Sequence, residues 1–165
     1  MDANAYVSHL QLKAHPEGGF YREVYRSEEL IPITGLPPRF SGKRNFATAI
    51  YFLLEENNFS AFHKIKSDET WHFYAGNSLE VIEINDAGEL FIQNIGNNLL
   101  EGDVFQYTVK AGHWFASRVK AGGKFSLVGC TVAPGFDFED FEMPNRLALL
   151  DQYPQHKDII TALTH

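Results

Sequence analysis

The segment FHKIKSDETWHFYAG, Phe62–Gly76, concentrates side chains that can do chemistry. It contains two histidines, His63 and His72, and an acidic pair that ends at Glu69. An imidazole beside a carboxylate can move protons near neutral pH, because the pKa of histidine is about 6.5 and a nearby negative charge raises it. Histidine and carboxylate side chains are also ligands for divalent metals. The segment is therefore a candidate for a proton-transfer site or for a metal site.

Strand alternation separates the two histidines of this segment. Successive side chains of a β-strand point to opposite faces, so Glu69 and His72 face opposite ways if residues 69–76 form one strand. His63 lies in the preceding predicted strand, FSAFHKI, where Ala61, His63 and Ile65 share a face, and a turn at the sequence KSD would bring it close to Glu69. We therefore interpret His63 and Glu69 as the functional pair. His72 would join them only if a β-bulge turned it.

The rest of the chain predicts the β-rich protein that this segment requires. About nine short runs rich in β-branched and aromatic residues alternate with turn sequences such as Asn-Asp-Ala-Gly and Glu-Gly-Asp. With no helical pattern between them, these runs indicate an antiparallel sandwich or barrel. Helices are predicted only at the ends, over residues 3–12 and in a C-terminal tail of about residues 144–163.

Length and composition limit the class of protein. The 165 residues fit one domain, residues 1–165, and 44% of them are apolar. No run of about 18 apolar residues suits a membrane span, and the net charge of −7 disfavours nucleic acid as a partner. The single cysteine, Cys130, and an N terminus without a secretory pattern lead us to expect a cytoplasmic protein.

Three separated segments resemble a known family. The spacing H-x-I-x-x-x-E-x-x-x-x-x-x-G, His63 through Glu69 to Gly76, resembles the first motif of the cupin superfamily, and KAGHWF resembles a degraded second motif. HPEGGFYREVYRS, DETWHFYAG and LVGCTVAPGFDFEDFE resemble an uncharacterised group, the fifth cupin family. The resemblance implies an all-β fold, the cupin double-stranded β-helix or jelly-roll barrel, with its core at about residues 17–138 and short N- and C-terminal helices. It also implies a homodimer.

The chain departs from the cupin pattern at two positions that bear histidines in metal-dependent members. Ile65 and Phe115 occupy them, which leaves only His63 and Glu69 at ligand positions. Because a catalytic divalent ion generally needs three or four protein ligands, we expect no bound metal and no cofactor. The alternative is a metal-dependent oxygenase or isomerase with a rearranged ligand set of His63, Glu69 and His72.

The resemblance also suggests an activity. The sugar-nucleotide epimerases of rhamnose synthesis, whose fold this group resembles, use a barrel histidine as base and a tyrosine as acid without a metal. By that resemblance His63 is the candidate base beside Glu69, and Tyr74 or Tyr51 is the candidate acid. We hypothesise metal-independent epimerisation or isomerisation of a sugar-like or nucleotide-linked small molecule in the barrel. The alternative is a non-catalytic binding or sensor module.

Other residues are candidates for contacts with a ligand. Arg22 would project into the barrel if Phe20, Arg22 and Val24 share the inward face of their strand, and its guanidinium would suit a carboxylate or phosphate. Gly18 and Gly19, just before that strand, are predicted to form a turn. Large aromatic rings can pack against a sugar or base. The candidate ligand-binding residues are Arg22, Tyr51, Trp71, His72 and Phe115.

Overall fold

The strands of the protein form two facing sheets, which the computed structural model describes over all residues, 1–165. Every strand pair is antiparallel. The six-stranded sheet contains, in spatial order, β1 (Lys13–Ala14), β2 (Phe20–Arg26), β5 (Thr48–Glu55), β12 (Phe125–Ala133), β7 (Asp68–Gly76) and β10 (Gln106–Val109). The four-stranded sheet contains β6 (Phe59–His63), β11 (Trp114–Val119), β8 (Leu79–Ile84) and β9 (Leu90–Ile95).

A separate hairpin and four short 3₁₀ turns complete the connections. The hairpin pairs β3 (Leu30–Ile31) with β4 (Arg44–Asn45). The 3₁₀ turns lie at Ile33–Gly35, Leu99–Glu101, Phe138–Asp140 and Pro154–His156.

The space between the two sheets is filled by apolar side chains from alternate strand positions. Burial of one such side chain contributes about 1.5–3 kcal/mol, so this core supplies much of the stability of the barrel. Its buried members are Phe52, Leu54, Ile65, Trp71, Leu79, Val81, Ile95, Val109, Phe115, Val119, Val128, Cys130 and Val132.

Short helices cover the outer faces of both sheets. Helix α1 (Ala3–His9) begins at the Asp2 cap and packs on the six-stranded sheet around Leu53. Helices α2 (Arg146–Gln152) and α3 (Lys157–Ala162) pack on the four-stranded sheet. The predicted jelly-roll barrel with short terminal helices is confirmed, although α1 is shorter than predicted. No helix of the protein has the length and apolar character that a membrane span requires.

Candidate functional site

A cavity of about 310 Å³ opens at the end of the barrel where β5 and β7 begin and β6 and β12 end. Strands β2, β5, β7 and β12 of one sheet form one wall, and the end of β6 with the loop before β2 forms another. Several aliphatic and aromatic side chains line the cavity, so its polar groups lie in surroundings of low polarity. Its charged and titratable groups other than Tyr21 and Cys130 are His15, Glu17, Glu23, Arg26, His63 and Glu69.

The central polar contact of the cavity joins His63 to Glu17. Nε2 of His63 lies 3.1 Å from Oε2 of Glu17, and both side chains are buried. Nδ1 of the same ring lies 2.7 Å from the carbonyl oxygen of Ala61. A carbonyl can only accept a hydrogen bond, so Nδ1 carries a proton. In a neutral ring Nε2 then has a lone pair, and the Glu17 carboxyl lies within 3.1 Å of it.

Burial favours this neutral form of the pair. It lowers the pKa of His63 to about 3, with the bond to Ala61 opposing the effect. Burial also raises the pKa of Glu17 well above its usual value, and the nearby charge of Glu69 raises it further. Both directions place the shared proton on Glu17. The pair is therefore a protonated carboxyl beside a neutral imidazole.

A tight turn before β2 positions Glu17. Gly18 and Gly19 have φ values of +112° and +78°, which confirms the predicted glycine turn. The backbone oxygen of Glu17 accepts a hydrogen bond of 2.9 Å from the nitrogen of Ala61 in β6, two residues before His63. A Cβ atom on Gly18 would lie 2.0 Å from the oxygen of Phe59. The turn thus docks on β6 closely enough to fix Glu17 against His63.

His15 adds a second neutral imidazole beside this pair. The backbone nitrogen of Glu17 donates a hydrogen bond of 3.2 Å to Nδ1 of His15, so Nδ1 carries no proton. Burial lowers the pKa of His15 to about 4. The ring meets Tyr21 edge-on at a centroid distance of 4.5 Å. The Glu17 carboxyl thus has only uncharged neighbours on the His15 and His63 side.

Glu69 lies on the wall formed by the six-stranded sheet. Its side chain is buried, and burial raises its pKa to about 7, with a hydrogen bond to the Cys130 thiol acting in the opposite direction. Burial also raises the pKa of Cys130, which therefore stays a thiol. His63 and Glu69 both line the cavity as predicted, but the carboxyl in contact with the His63 ring is that of Glu17. The functional pairing of His63 with Glu69 stays a prediction, and Glu17 is a third member that it did not include.

Charged and aromatic side chains surround the outer part of the cavity. Arg26 binds Glu23 through two hydrogen bonds of 2.9 and 2.7 Å, and its Nη1 also donates to Asn45 and to the backbone oxygen of Phe136. Three phenylalanines lie together with ring centroids 4.9 to 6.3 Å apart. These three are Phe136, Phe138 and Phe141.

Four of the predicted site residues lie on the outer face of the six-stranded sheet. Arg22 donates to Gln11 and its guanidinium lies 5.9 Å from the Tyr51 ring centroid, which in turn lies 5.9 Å from that of Tyr74. His72 pairs with the Thr131 hydroxyl at 3.0 Å. The interpretation of Arg22 is wrong because Phe20 packs on the α1 side of the sheet, which turns Tyr21 and Glu23 inward instead.

The positions of Tyr51, Tyr74 and His72 also follow from strand alternation. Tyr74 lies so close over the sheet that a Cβ atom on Gly129 would be 2.3 Å from its hydroxyl. Neither tyrosine lines the cavity, and Tyr21 is the tyrosine that does. His63, Glu69 and His72 are not brought together, which overturns the rearranged metal set.

Trp71 and Phe115 point into the barrel but do not line the cavity. The Trp71 ring meets Phe52 and Phe115 edge-on. The Phe115 ring lies 4.1 Å from the His63 ring, centroid to centroid. The expectation that Trp71 and Phe115 contact a ligand therefore receives no support from their positions. Both rings instead belong to the apolar core between the two sheets.

Comparison with known families agrees with this fold. Residues 4–144 match the family model described as Cupin superfamily (DUF985). The chain belongs to the cupin superfamily. A hypothetical protein from Leishmania major has a structure with a TM-score of 0.90 and 35% identity, covering 100% of this chain and 99% of the other. Protein SO0799 from Shewanella oneidensis has a TM-score of 0.88 and 42% identity, covering 100% and 98%.

A weaker sequence match is an uncharacterised yeast protein, and an enzyme shares the fold alone. The uncharacterised protein YML079W of Saccharomyces cerevisiae is 29% identical over 143 residues, which are 81% of this chain and 71% of that protein. Oxalate decarboxylase from Bacillus subtilis has a TM-score of 0.55 at 15% identity, covering 91% of this chain and 36% of the enzyme. At that identity the likeness concerns the fold alone.

The donor set of this cupin does not fit a metal ion. No group of three or more His, Cys, Asp or Glu side chains is arranged to hold one. Ile65 faces the cavity where a metal-dependent cupin places a ligand, and Phe115 packs against His63. Both nitrogens of His63 are already engaged, by Ala61 and Glu17. The groups of the cavity that can carry a proton are its carboxyl, imidazole, phenol and thiol groups.

Sequence reasoning missed five of the charged or titratable residues of the cavity and its three phenylalanines. Glu17 is the most important of them, and the available signal was an acid placed directly before the glycine turn. Arg26 reaches the cavity because the pairing of β2 with β5 shifts register between Glu23 and Tyr25, which alternation alone does not reveal. The five charged or titratable residues are His15, Glu17, Tyr21, Glu23 and Arg26.

Proposed function

We propose that this cupin binds a small molecule in its cavity and transfers protons on it without a metal. The close, buried contact between the Glu17 carboxyl and Nε2 of His63, which lie 3.1 Å apart, carries the proposal. A proton that arrives at the second oxygen of Glu17 can be balanced by movement of the first proton to Nε2 of His63. Glu17 then remains a neutral acid, and the imidazole holds the charge. The pair can therefore donate or accept a proton inside a buried site.

Glu69 supplies the second group that an isomerisation needs. A pKa of about 7 leaves it partly ionised at neutral pH, which suits a general base. Glu17 keeps its proton under the same conditions and suits a general acid. In the proposed step Glu69 takes a proton from one ligand atom while Glu17 gives one to another. Two carboxyl groups with different pKa values in one cavity support this division of roles.

The cavity volume limits the ligand. Ligand pockets commonly span ~300–1,000 Å³, so a cavity of about 310 Å³ suits a molecule of the size of one sugar ring. The nucleotide part of a nucleotide-linked ligand would lie outside, beyond the phenylalanines. A sugar-sized, hydroxylated substrate is thus the form of the sequence-based hypothesis that the geometry supports best. The cytoplasmic location and the homodimer stay predictions.

Solvent-exchange NMR tests this proposal. Protein purified without an affinity metal is incubated in D₂O with pools of aldoses, ketoses and hydroxy acids, and spectra are searched for deuterium incorporated at carbon. Loss of a general acid or base slows proton transfer about 100-fold or more, so Glu17→Gln and Glu69→Gln should abolish the exchange. Glu101→Gln is a matched control because this glutamate is exposed.

Two results would contradict the proposal. A compound that binds with no exchange in any pool would favour the non-catalytic binding module. A stoichiometric metal found by elemental analysis, and lost in His63→Ala, would return the protein to the metal-dependent class.

A further inference from the structure

The charged groups of the cavity indicate what kind of ligand it accepts. We propose that this ligand is a small organic cation, an ammonium compound whose charge lies against the Glu69 carboxylate. This inference rests on one part of the proposed function, namely that a small molecule binds in this cavity. It is carried by three features: the engagement of Arg26, the open carboxyl of Glu69 and the phenylalanines of the outer part.

The cavity has one permanently charged cation, Arg26, and its charge is already matched. Nε and Nη2 bind the two oxygens of Glu23, and Nη1 donates to Asn45 at 2.9 Å and to the Phe136 carbonyl at 3.0 Å. A phosphate or carboxylate that entered would have to displace Glu23 to reach this guanidinium. The carboxylate of Glu69 would repel it, while Glu17, His15 and His63 are neutral and offer it no positive charge. An anionic group inside the cavity is therefore disfavoured.

Other basic side chains near this end of the barrel are also engaged. Arg44 is buried and forms two hydrogen bonds, of 2.6 and 2.7 Å, with Asp140. Lys66 lies 3.6 Å from the same carboxylate, and Lys64 lies 3.3 Å from Glu142. None of these three basic residues lines the cavity. They therefore anchor the segment that carries the phenylalanines and do not supply charge to a ligand.

Glu69 presents an unmatched acceptor to the cavity. Its residue is only 8% exposed, and it lines the cavity from β7. No nitrogen or oxygen atom of the protein donates a hydrogen bond to its carboxyl, and the Cys130 thiol is the polar group beside it. Buried carboxylates are normally paired with a cation. A ligand ammonium group would provide the partner that the protein does not.

The aromatic rings of the outer part suit the same ligand. A cation is attracted to the face of an aromatic ring, and such rings recur in sites for quaternary ammonium groups. Phe136, Phe138 and Phe141 lie together in the segment after β12, and Tyr21 lines the cavity from β2. The Phe141 ring also lies 5.2 Å from the His63 ring, so this cluster reaches the buried pair. Carboxyl and aromatic side chains of one cavity thus supply the two kinds of contact that a positively charged molecule requires.

Calorimetry with two probes of the same shape tests the inference. Choline carries a quaternary nitrogen where 3,3-dimethylbutan-1-ol carries carbon, so the two differ in charge and hardly in size. We expect choline to bind and the alcohol to bind about tenfold more weakly or worse, since a buried carboxylate discriminates strongly by charge. A cation beside Glu69 lowers the pKa of that carboxyl. Choline should therefore release a fraction of a proton at pH 7, measured by titration in two buffers of different ionisation enthalpy.

Glu69→Gln should weaken choline binding about tenfold or more and abolish proton release, whereas Glu101→Gln should change neither. The thermal midpoint of each variant checks that it is folded. Equal binding of the two probes, unchanged choline binding in Glu69→Gln, or binding of neither probe would each overturn the inference. Deuterium exchange on a neutral sugar together with no choline binding would refute the cation and leave the proton-transfer proposal standing. Choline binding with no exchange in any pool would support the cation and refute the proton-transfer proposal.

Discussion

Two buried glutamates of this protein each contact a histidine, and their further surroundings differ. Glu83 in β8 contacts Nδ1 of His113 through one oxygen and accepts a hydrogen bond of 2.5 Å from the Tyr107 hydroxyl at the other. Glu17 binds His63 through one oxygen, and Glu69 stands near it in the same cavity. The first pair is completed by protein atoms, whereas the second has room for a ligand.

The difference shows that a glutamate–histidine contact is not in itself a site. Burial, with the Glu83 bond as a second cause, raises the pKa of Tyr107, so its hydroxyl stays a donor to that carboxyl throughout the physiological range. Glu69 has only the Cys130 thiol beside it. A buried polar group that the protein leaves open lowers stability. Such a group is what binding or catalysis requires, and the predictions below test this distinction.

The largest expected effect on stability is that of Glu69→Gln. Because the folded pKa is about 7 and the usual value is 4.5, the native state holds more protons than the unfolded state between these pH values. The wild-type protein should therefore lose about 3 kcal/mol of stability from this group as pH rises from 4.5 to 7. Glutamine has no proton to lose. The variant should match the wild type near pH 4 and exceed it by about 3 kcal/mol at pH 8.

Urea unfolding at pH 4.5, 6 and 8 measures this difference. Glu101→Gln changes the net charge equally at an exposed position and should stay within about 0.5 kcal/mol of wild type throughout. If Glu69→Gln were no more stable than the wild type at any pH, Glu69 would have protein partners as Glu83 has. The contrast between Glu83 and the cavity would then be wrong.

Glu83→Gln should lower the free energy of unfolding, by somewhat less than Glu69→Gln raises it at pH 8. An amide can keep only part of the hydrogen bonding of Glu83, and a buried donor left without its acceptor costs about 1–3 kcal/mol. We expect a loss of about 2 kcal/mol in urea unfolding at pH 7. In a double-mutant cycle with Tyr107→Phe, the double mutant should lose less stability than the sum of the two single losses. Full additivity would mean that the 2.5 Å contact contributes nothing.

The sequence predicts the sheets well because strand alternation and turn residues are local signals. His63 and Glu69 reach the cavity because both end or begin strands at the same end of the barrel. The face to which Arg22 points could not be predicted from alternation, since either set of side chains in β2 is partly apolar. Packing of Phe20 on the α1 side settles it.

The partner of His63 was beyond sequence reasoning for a different reason. Glu17 lies in a loop far from His63 along the chain, and it reaches the histidine only because the glycine turn docks on β6. Such contacts depend on backbone hydrogen bonds between distant segments. The glycine pair predicts the turn, but it carries no information about which strand the turn meets.

The smallest expected effect concerns the protonation of His63, for which we predict no change between pH 5 and 8. Its pKa of about 3 lies below this range, and the bond to Ala61 fixes the proton on Nδ1. Nitrogen-15 NMR of the imidazole ring should therefore show Nδ1 protonated and Nε2 accepting throughout. In Glu17→Gln the amide can still donate to Nε2, so the tautomer should persist. A titration midpoint near 6.5 would mean that His63 behaves as an exposed histidine. The proposed proton movement between Glu17 and His63 would then lose its physical basis.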